Sequence, residues 1–404
     1  LRRQRQMCIR DRNKPDKVIV GNIMTRGHEV IESLLDSNIP FTSGPQWLYE
    51  NILREKYVIA VTGTHGKTTT TSMLSWILED NNYCPSFLIG GAPRNFDSSA
   101  RLTTSEFFVI EGDEYDSAFF DKRPKFIHYH PKISIINNIE FDHADIYKDL
   151  KEIIFQFHQL IRLVPRNGKI IYNGDDKNTA DLIDFGHWCN TESYGSHSDS
   201  EWKADFGSRN NIEIYHKDFD HYSSDWLLKG SYNKENALSA IIAANTIGIS
   251  PDKSLDSLKR FSGVKRRFEL LGNFNGLIIY DDFAHHPTSI KKTLDDIAQL
   301  YPDKNVSVSV EMRSNTMRQG IHNDHLLGYL KSLDHVTFLS SNAIASQIRS
   351  HIDFDVETMH VFDSPNNLAS HLLSEFNSDV VHVFLSNGDF MGAKEQVMSK
   401  LRKK

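Results

Sequence analysis

The sequence predicts an α/β protein built from three units, and three observations lead there. Short apolar, β-branched runs alternate with helix-length segments from Lys56 onward, the pattern of a parallel sheet with helices on both faces. One such run, Tyr57-Val58-Ile59-Ala60-Val61, feeds directly into the glycine- and threonine-rich Thr62-Gly63-Thr64-His65-Gly66-Lys67-Thr68 and then into a helical stretch. Near Gly263 the alternation begins again, and at 404 residues the chain is too long for one ordinary core.

Taken in order, residues 1–12 are rich in arginine and lack periodicity or the apolar core of a secretion signal; they are expected to be a non-native or disordered tail. Lys17 to Val20, a helix from about His28 to Ser37, and Phe41-Thr42 make a strand-helix-strand unit within 13–54. In 55–263, Phe107 to Ile110, Ile133 to Ile136 and Lys169 to Tyr172 read as buried strands, and Leu150 to Leu163 as an amphipathic helix. The polar stretch Ser193 to Asp225 is expected to fold into antiparallel hairpins before a helix from Lys234 to Ile247. In 264–404 the strands are Leu277 to Tyr280, Val306 to Val310, Val336 to Leu339 and Val381 to Leu385.

A hydrophobic fraction of 39% and a charged fraction of 25% are those of a water-soluble globular chain. No apolar run approaches the roughly 18 to 20 residues that span a membrane. A net charge of -7 disfavours a nucleic-acid coat. Cys8, Cys84 and Cys189 are widely spaced with no metal-type pairing, which points to a reducing, cytoplasmic compartment.

The chemistry gathers where strands end, the edge at which open α/β sheets hold ligands. In the loop after Val61, glycines let backbone N–H groups close on phosphate oxygens and the following helix adds partial positive charge. Lys67 can reach terminal phosphates and the Thr68 hydroxyl can bind magnesium. The spacing departs from the common phosphate loop, with Val61 where a first glycine would stand. After Ile110 come Glu111, Asp113 and Glu114, whose crowded charge calls for a cation. After Ile136, His143, flanked by the acids Glu140, Asp142 and Asp145, could coordinate a second ion through a neutral imidazole whose other nitrogen a carboxylate holds. Asn233 and Asn236 open a helix, where amides could read a base or cap the helix end. Lys265-Arg266-Arg267 is a basic cluster at the expected unit junction. Asp281-Asp282-Phe283-Ala284-His285-His286-Pro287 is another carboxyl edge, with Pro287 suited to a first helical turn. Arg313, followed by Ser314 and Asn315, could bind a carboxylate in a bidentate contact.

The ordered set TGTHGKTTTT, EGDEYDSAF, NNIEFDHADIY, GSYNKENALSA, FSGVKRRFE and YDDFAHHPT resembles the Mur ligases, ATP-dependent amide-forming enzymes of peptidoglycan assembly. The resemblance runs from Lys17 to about Lys400 and implies three domains: a truncated Rossmann-like N-terminal domain that binds the UDP substrate, a central P-loop ATPase domain and a Rossmann-like C-terminal domain for the peptide. It implies ATP on Gly63, Thr64, His65, Gly66, Lys67, Thr68 and Thr69. The adenosine falls to Asn233, Asn236 and Asp282, and the phosphates also to Arg267 and His285. Two magnesium ions are implied, one on Thr68 and Glu111 and one on His143, with Asp113, Glu114 and Glu140 as weaker candidates; Lys67, His143 and Arg267 are the implied catalytic groups.

GTHGKT and the DD-x-x-HHP segment are similar to the branch that acts on UDP-N-acetylmuramate, and GNIMTRG, PFTSGPQWLYE, EMRSNTMRQG and FLSNGDF to its member that adds the tripeptide L-alanyl-gamma-D-glutamyl-meso-diaminopimelate in peptidoglycan recycling. The lysine that several members carbamylate is replaced by Phe157, so no carbamate is expected. The family's usual glycine-rich start is not found before Lys17, which leaves open a nucleotide-binding fragment. Ligation of L-alanine instead of tripeptide also stays open. HHP and TSGPQWL argue against folylpolyglutamate synthetase. A monomer is favoured among oligomeric states.

Overall fold

The computed structural model describes residues 15–196, 199–205, 210–217, 221–226, 228–313, 315–321, 323–341 and 358–403; the tail 1–12 and Ser314 lie outside them. A small parallel pair, Val18–Val20 with Phe41–Ser43, flanks the helix Glu29–Leu35, whose first turn is capped by His28. Its core is three buried residues, Val20, Ile31 and Leu34, with Phe41 and Phe119 packed on them.

The second sheet has ten strands. Its centre is Tyr57–Thr62, paired in parallel with Phe107–Glu111 on one side and Ile133–Ile136 on the other. Side chains of a strand alternate between faces. Ile59 and Val61 therefore enter one core, with the helices Lys67–Asp80 and Tyr232–Thr246, while Val58 and Ala60 enter another, with Leu150–Ile161. Both faces are covered, which is why these strands carry no polar alternation.

The stretch expected to form antiparallel hairpins does so only at its end. Asn190–Gly195 and Trp202–Ala204 extend the parallel sheet, and antiparallel pairing begins with Asn211–His216 and His221–Asp225. Tyr194 and Trp202 are buried in the same core as the helix Tyr232–Thr246, and burying those rings outweighs the polar average of the segment.

The third sheet, six strands among the described residues, begins at Glu269–Phe274 and is parallel from Leu277–Asp282 onward. The helices Pro287–Leu300 and Pro365–Glu375 start with proline in the first turn. Among the described residues no helix is long and apolar enough to cross a membrane.

His382 lies in the strand Val380–Leu385, fully buried, with Nδ1 2.9 Å from Ser307 Oγ and Nε2 3.1 Å from Ser309 Oγ. Burial pushes its imidazole down to about 3. The unfolded chain takes up this proton near pH ~6.5 and the folded chain does not. Stability from this residue is therefore whole above that value and is lost as pH falls toward 3. Urea unfolding at a series of pH values is expected to show this slope, and His382→Gln to flatten it; an equal slope in the variant would overturn the assignment.

Candidate active site

The carboxyl ends of the second and third sheets face a common cavity of about 640 Å³. The phosphate loop forms one wall. Gly63 has φ +121°, and a Cβ there would lie 2.9 Å from Asn138 O and 3.0 Å from Asn137 N. Gly66 has φ +82°, and its Cβ would overlap the Asn236 amide. Both glycines are required by backbone conformation and by close approach. Thr64 N donates to Asn138 O at 2.9 Å and His65 N to Asn138 Oδ1 at 2.7 Å, so the loop is fastened to the end of the neighbouring strand.

Lys67 Nζ donates to Gly63 O at 2.7 Å and to Glu114 Oε2 at 2.7 Å. Glu114 Oε1 meets His143 Nε2 at 3.1 Å, and Lys125 Nζ meets Asp113 Oδ2 at 2.5 Å. The cations that offset the acid cluster are thus protein side chains. Burial alone would raise the carboxyl groups of Asp113 and Glu114; Lys125 and Lys67 for the first, and Lys67 and His143 for the second, outweigh it and hold both below their ordinary value. Burial would lower the imidazole of His143, and the hydrogen bond and charge of Glu114 raise it instead.

The Thr68 hydroxyl donates to Glu111 Oε1 at 2.9 Å and accepts from Arg267 Nη2 at 3.0 Å; Glu111 Oε2 accepts from Gly90 N at 2.6 Å. Arg267 lies 4.4 Å over the Phe283 ring, a cation–π contact that fixes the guanidinium between the sheets. Thr68 and Glu111 offer oxygen only, the donor set of a hard ion such as magnesium. Asp113, Glu114 and His143 have ligand atoms within 4.8 Å of one another and would suit a second divalent ion. When bound, such ions would neutralise phosphate charge.

Gly66, Lys67, Thr68, Thr69, Asn236, Arg267, Asp282 and His285 line this cavity together with Thr64, His65, Glu111 and His143. Asp282 accepts from Phe268 N at 2.6 Å and Ala284 N at 2.7 Å, and burial raises its carboxyl. Burial pushes the His285 imidazole down to about 4.

Two sequence candidates lie elsewhere. Asn233 is buried but not on the cavity wall: its amide donates to Lys229 O at 2.6 Å, and it does not cap the helix, whose N-cap is Ser231. Arg313 is half-exposed, with Nη1 3.7 Å from Asp389 Oδ1, outside the cavity lining. Asn315 begins the short helix Asn315–Arg318. Phe157 is fully buried against Phe126, ring centroids 5.1 Å apart.

Sequence reasoning passed over Thr316, whose hydroxyl donates to Asp142 Oδ1 at 2.9 Å across the two sheets, and Phe283 beneath Arg267. A threonine 174 positions away carries no local signal of such a contact.

Residues 61–244 match the Mur ligase middle domain, and residues 266–388 match a domain described as Mur ligase, glutamate ligase domain. The chain is 42% identical over 402 residues to the UDP-N-acetylmuramate–L-alanyl-gamma-D-glutamyl-meso-2,6-diaminoheptandioate ligase of Escherichia coli K12, covering 97% of this chain and 86% of that protein. The ligase of the same name from Haemophilus influenzae is 39% identical over 393 residues, covering 96% and 86%. A crystal structure of a murein peptide ligase from Psychrobacter arcticus superposes with a TM-score of 0.74 at 36% identity, covering 96% of this chain and 86% of that one. With both domain matches set on these sheets and such relatives along nearly the whole chain, this protein belongs to the Mur ligase family of ATP-dependent ligases.

Proposed function

We propose that this ligase joins UDP-N-acetylmuramate to L-alanyl-gamma-D-glutamyl-meso-diaminopimelate, the reaction named for its relatives, in the cytoplasm and in the recycling of peptidoglycan. The observation that carries the proposal is the meeting, in one cavity, of the loop Thr64–Thr69, the oxygen pair Thr68–Glu111 and Arg267 from the other sheet.

A carboxylate is a poor electrophile, and phosphorylation supplies the leaving group it lacks. A carboxylate oxygen of the muramate attacks the γ-phosphorus of ATP, the bond to the β-phosphate oxygen breaks, and ADP leaves. The peptide amine then attacks the acyl carbon, the C–O bond breaks with release of phosphate, and the nitrogen loses its proton to solvent. The loop of residues 63–69 holds the phosphates, with the N–H groups of Thr64 and His65 engaged by Asn138, and Lys67 and Arg267 stabilise the group in transfer. Asn236 and Asp282 hold adenosine, with His285 toward the phosphates. Thr68 and Glu111 would hold one magnesium ion and His143, with Asp113 and Glu114 beside it, a second. In this division 13–54 serves the UDP substrate, 55–263 the ATP and 264–404 the peptide.

The test supplies Mg-ATP, UDP-N-acetylmuramate and one amine at a time, with phosphate release and product mass as readouts. Tripeptide is expected to be ligated far better than L-alanine; efficient use of L-alanine with refusal of tripeptide would reassign the acceptor. Arg313, beside Asp389 at the end of the strand Asn305–Glu311, is the group we assign to a peptide carboxylate. Losing one charge-assisted contact should raise KM for tripeptide by ~10- to 100-fold in Arg313→Ala, with kcat changed much less. Unchanged KM would remove Arg313 from the site.

A further inference from the structure

Among the described residues, four lysine and arginine side chains line the cavity against eight carboxylates. Lys67 and Arg267 are assigned to the phosphates, and Lys292 is taken up by Glu235, next to Asn236 at the adenosine end. Lys125 is left without a task in the reaction above. It begins the short turn Lys125–His128, which packs against the helix Gly44–Asn51 of the first unit, with His128 Nδ1 2.8 Å from Gln46 Oε1. Tyr129 closes the same turn. It is 4% exposed and lines the cavity, and its hydroxyl has no hydrogen-bond partner among the described residues.

We propose that Lys125 and Tyr129 bind the carboxylate of UDP-N-acetylmuramate and present it to the γ-phosphate, the ammonium supplying charge and the phenol a hydrogen bond; the inference rests on the ligation proposed above. An in-line transfer needs the attacking oxygen on the side of the phosphorus opposite to ADP. The strand before the phosphate loop, Tyr57–Thr62, has Ile133–Ile136 on one side and Phe107–Glu111 on the other. Asn236, the adenosine amide, stands on the first side, where a Cβ on Gly66 would meet both it and Asn137. Lys125 stands on the second, its Nζ 2.5 Å from Asp113 Oδ2, with Gly90 N beyond it donating to Glu111 Oε2 at 2.6 Å. The incoming acid therefore meets Lys125 and not Lys292. Contact of the turn with Gly44–Asn51 gives the same direction, because a substrate held through its UDP by 13–54 reaches the phosphates over residues 125–129.

A substrate carboxylate entering a cavity whose acids outnumber its cations needs a fixed positive group. An ammonium carries three donors; Lys125 gives one to Asp113, which fixes it, and has two for a ligand. Its side chain is 26% exposed and lines the cavity, so those two stay open. Burial, with the charges of Asp113 and Glu111 close by, raises the Tyr129 hydroxyl, which remains a donor. A buried hydroxyl without a partner costs stability, and a carboxylate oxygen in the cavity would supply the partner.

UDP-N-acetylglucosamine keeps the UDP-sugar frame without the carboxylate, so it isolates this contact. Calorimetry on the full chain, with magnesium and a non-hydrolysable ATP analogue, is expected to show UDP-N-acetylmuramate bound more tightly than UDP-N-acetylglucosamine. Lys125→Ala is expected to weaken the muramate by ~10- to 100-fold and to leave the glucosamine ligand within ~2-fold, so the preference collapses. Lys125→Arg should recover part of the loss, since it keeps the charge. Tyr129→Phe should weaken the muramate by ~3- to 10-fold and melt no lower than the parent, because its hydroxyl has no partner to lose. A purely structural Lys125–Asp113 pair would move both ligands alike. Equal loss of both, or an undiminished preference in the folded variants, would overturn the subsite, and Tyr129→Phe decides the matter if Lys125→Ala does not fold. A parent that binds neither ligand and releases no phosphate with muramate present removes the ligase reading and the subsite together; one that ligates while its variants keep the preference removes the subsite alone.

Discussion

Lys67→Ala is expected to lower the ligation rate by at least the ~10²- to 10³-fold that follows loss of one preorganised electrostatic donor. Lys67 is held at the first position of the helix Lys67–Asp80, its Nζ tied to Gly63 O and to Glu114, so its charge is fixed at the place where the proposed reaction would develop phosphate charge. The ordering energy is already spent in the folded protein, which is what makes the loss large. Its removal also leaves Glu114 with only His143 as a counter-charge, so the variant is expected to bind Mg-ATP less tightly as well. Phosphate release dependent on both substrates measures the first effect and calorimetry with Mg-ATP the second. A variant that ligates at a near-normal rate would sink the assignment of this loop.

Lys394→Ala should cost about 3 kcal/mol of stability, at the low end of what breaking a buried ion pair costs. Lys394 Nζ lies 2.5 Å from Asp281 Oδ2, with side-chain exposures of 9% and 3%, so truncation strands a carboxylate in the interior. Arg266, 3.6 Å from the same oxygen, remains as partial compensation and sets the figure low. The melting temperature is expected to fall by on the order of 10 °C. Adding Asp281→Asn to Lys394→Met should recover most of the loss, because neither partner is then an uncompensated charge. A single variant within ~0.5 kcal/mol of the parent in urea unfolding would show that the pair does not contribute the stability assigned to it.

Elements whose cause is local were legible in the sequence. The strand Tyr57–Thr62 needs only its own apolar, β-branched run, and the helix after it needs only Gly66 to turn the chain and a repeating apolar face. Pro287 opens its helix for the same kind of reason. The antiparallel reading of Ser193 to Asp225 failed at Asn190–Gly195, because its edge is claimed by the strand Lys169–Asn173, a partner that polarity within the segment does not reveal. For Asn233, spacing cannot tell an amide that faces a cavity from one that turns back to the chain behind it, here to Lys229 O.

What the sequence by itself determined is the loop and the three acidic or histidine-bearing strand ends, since backbone N–H groups, glycine conformations and side-chain chemistry are set within about ten residues. Only the tertiary structure decided which of these ends share a cavity. Arg267 reaches Thr68 across 199 positions, Thr316 reaches Asp142 across 174, and His286 meets His65 and Glu140 from another sheet. Those meetings depend on how two sheets pack edge to edge, a property of buried area and shape summed over the whole chain rather than of any one segment.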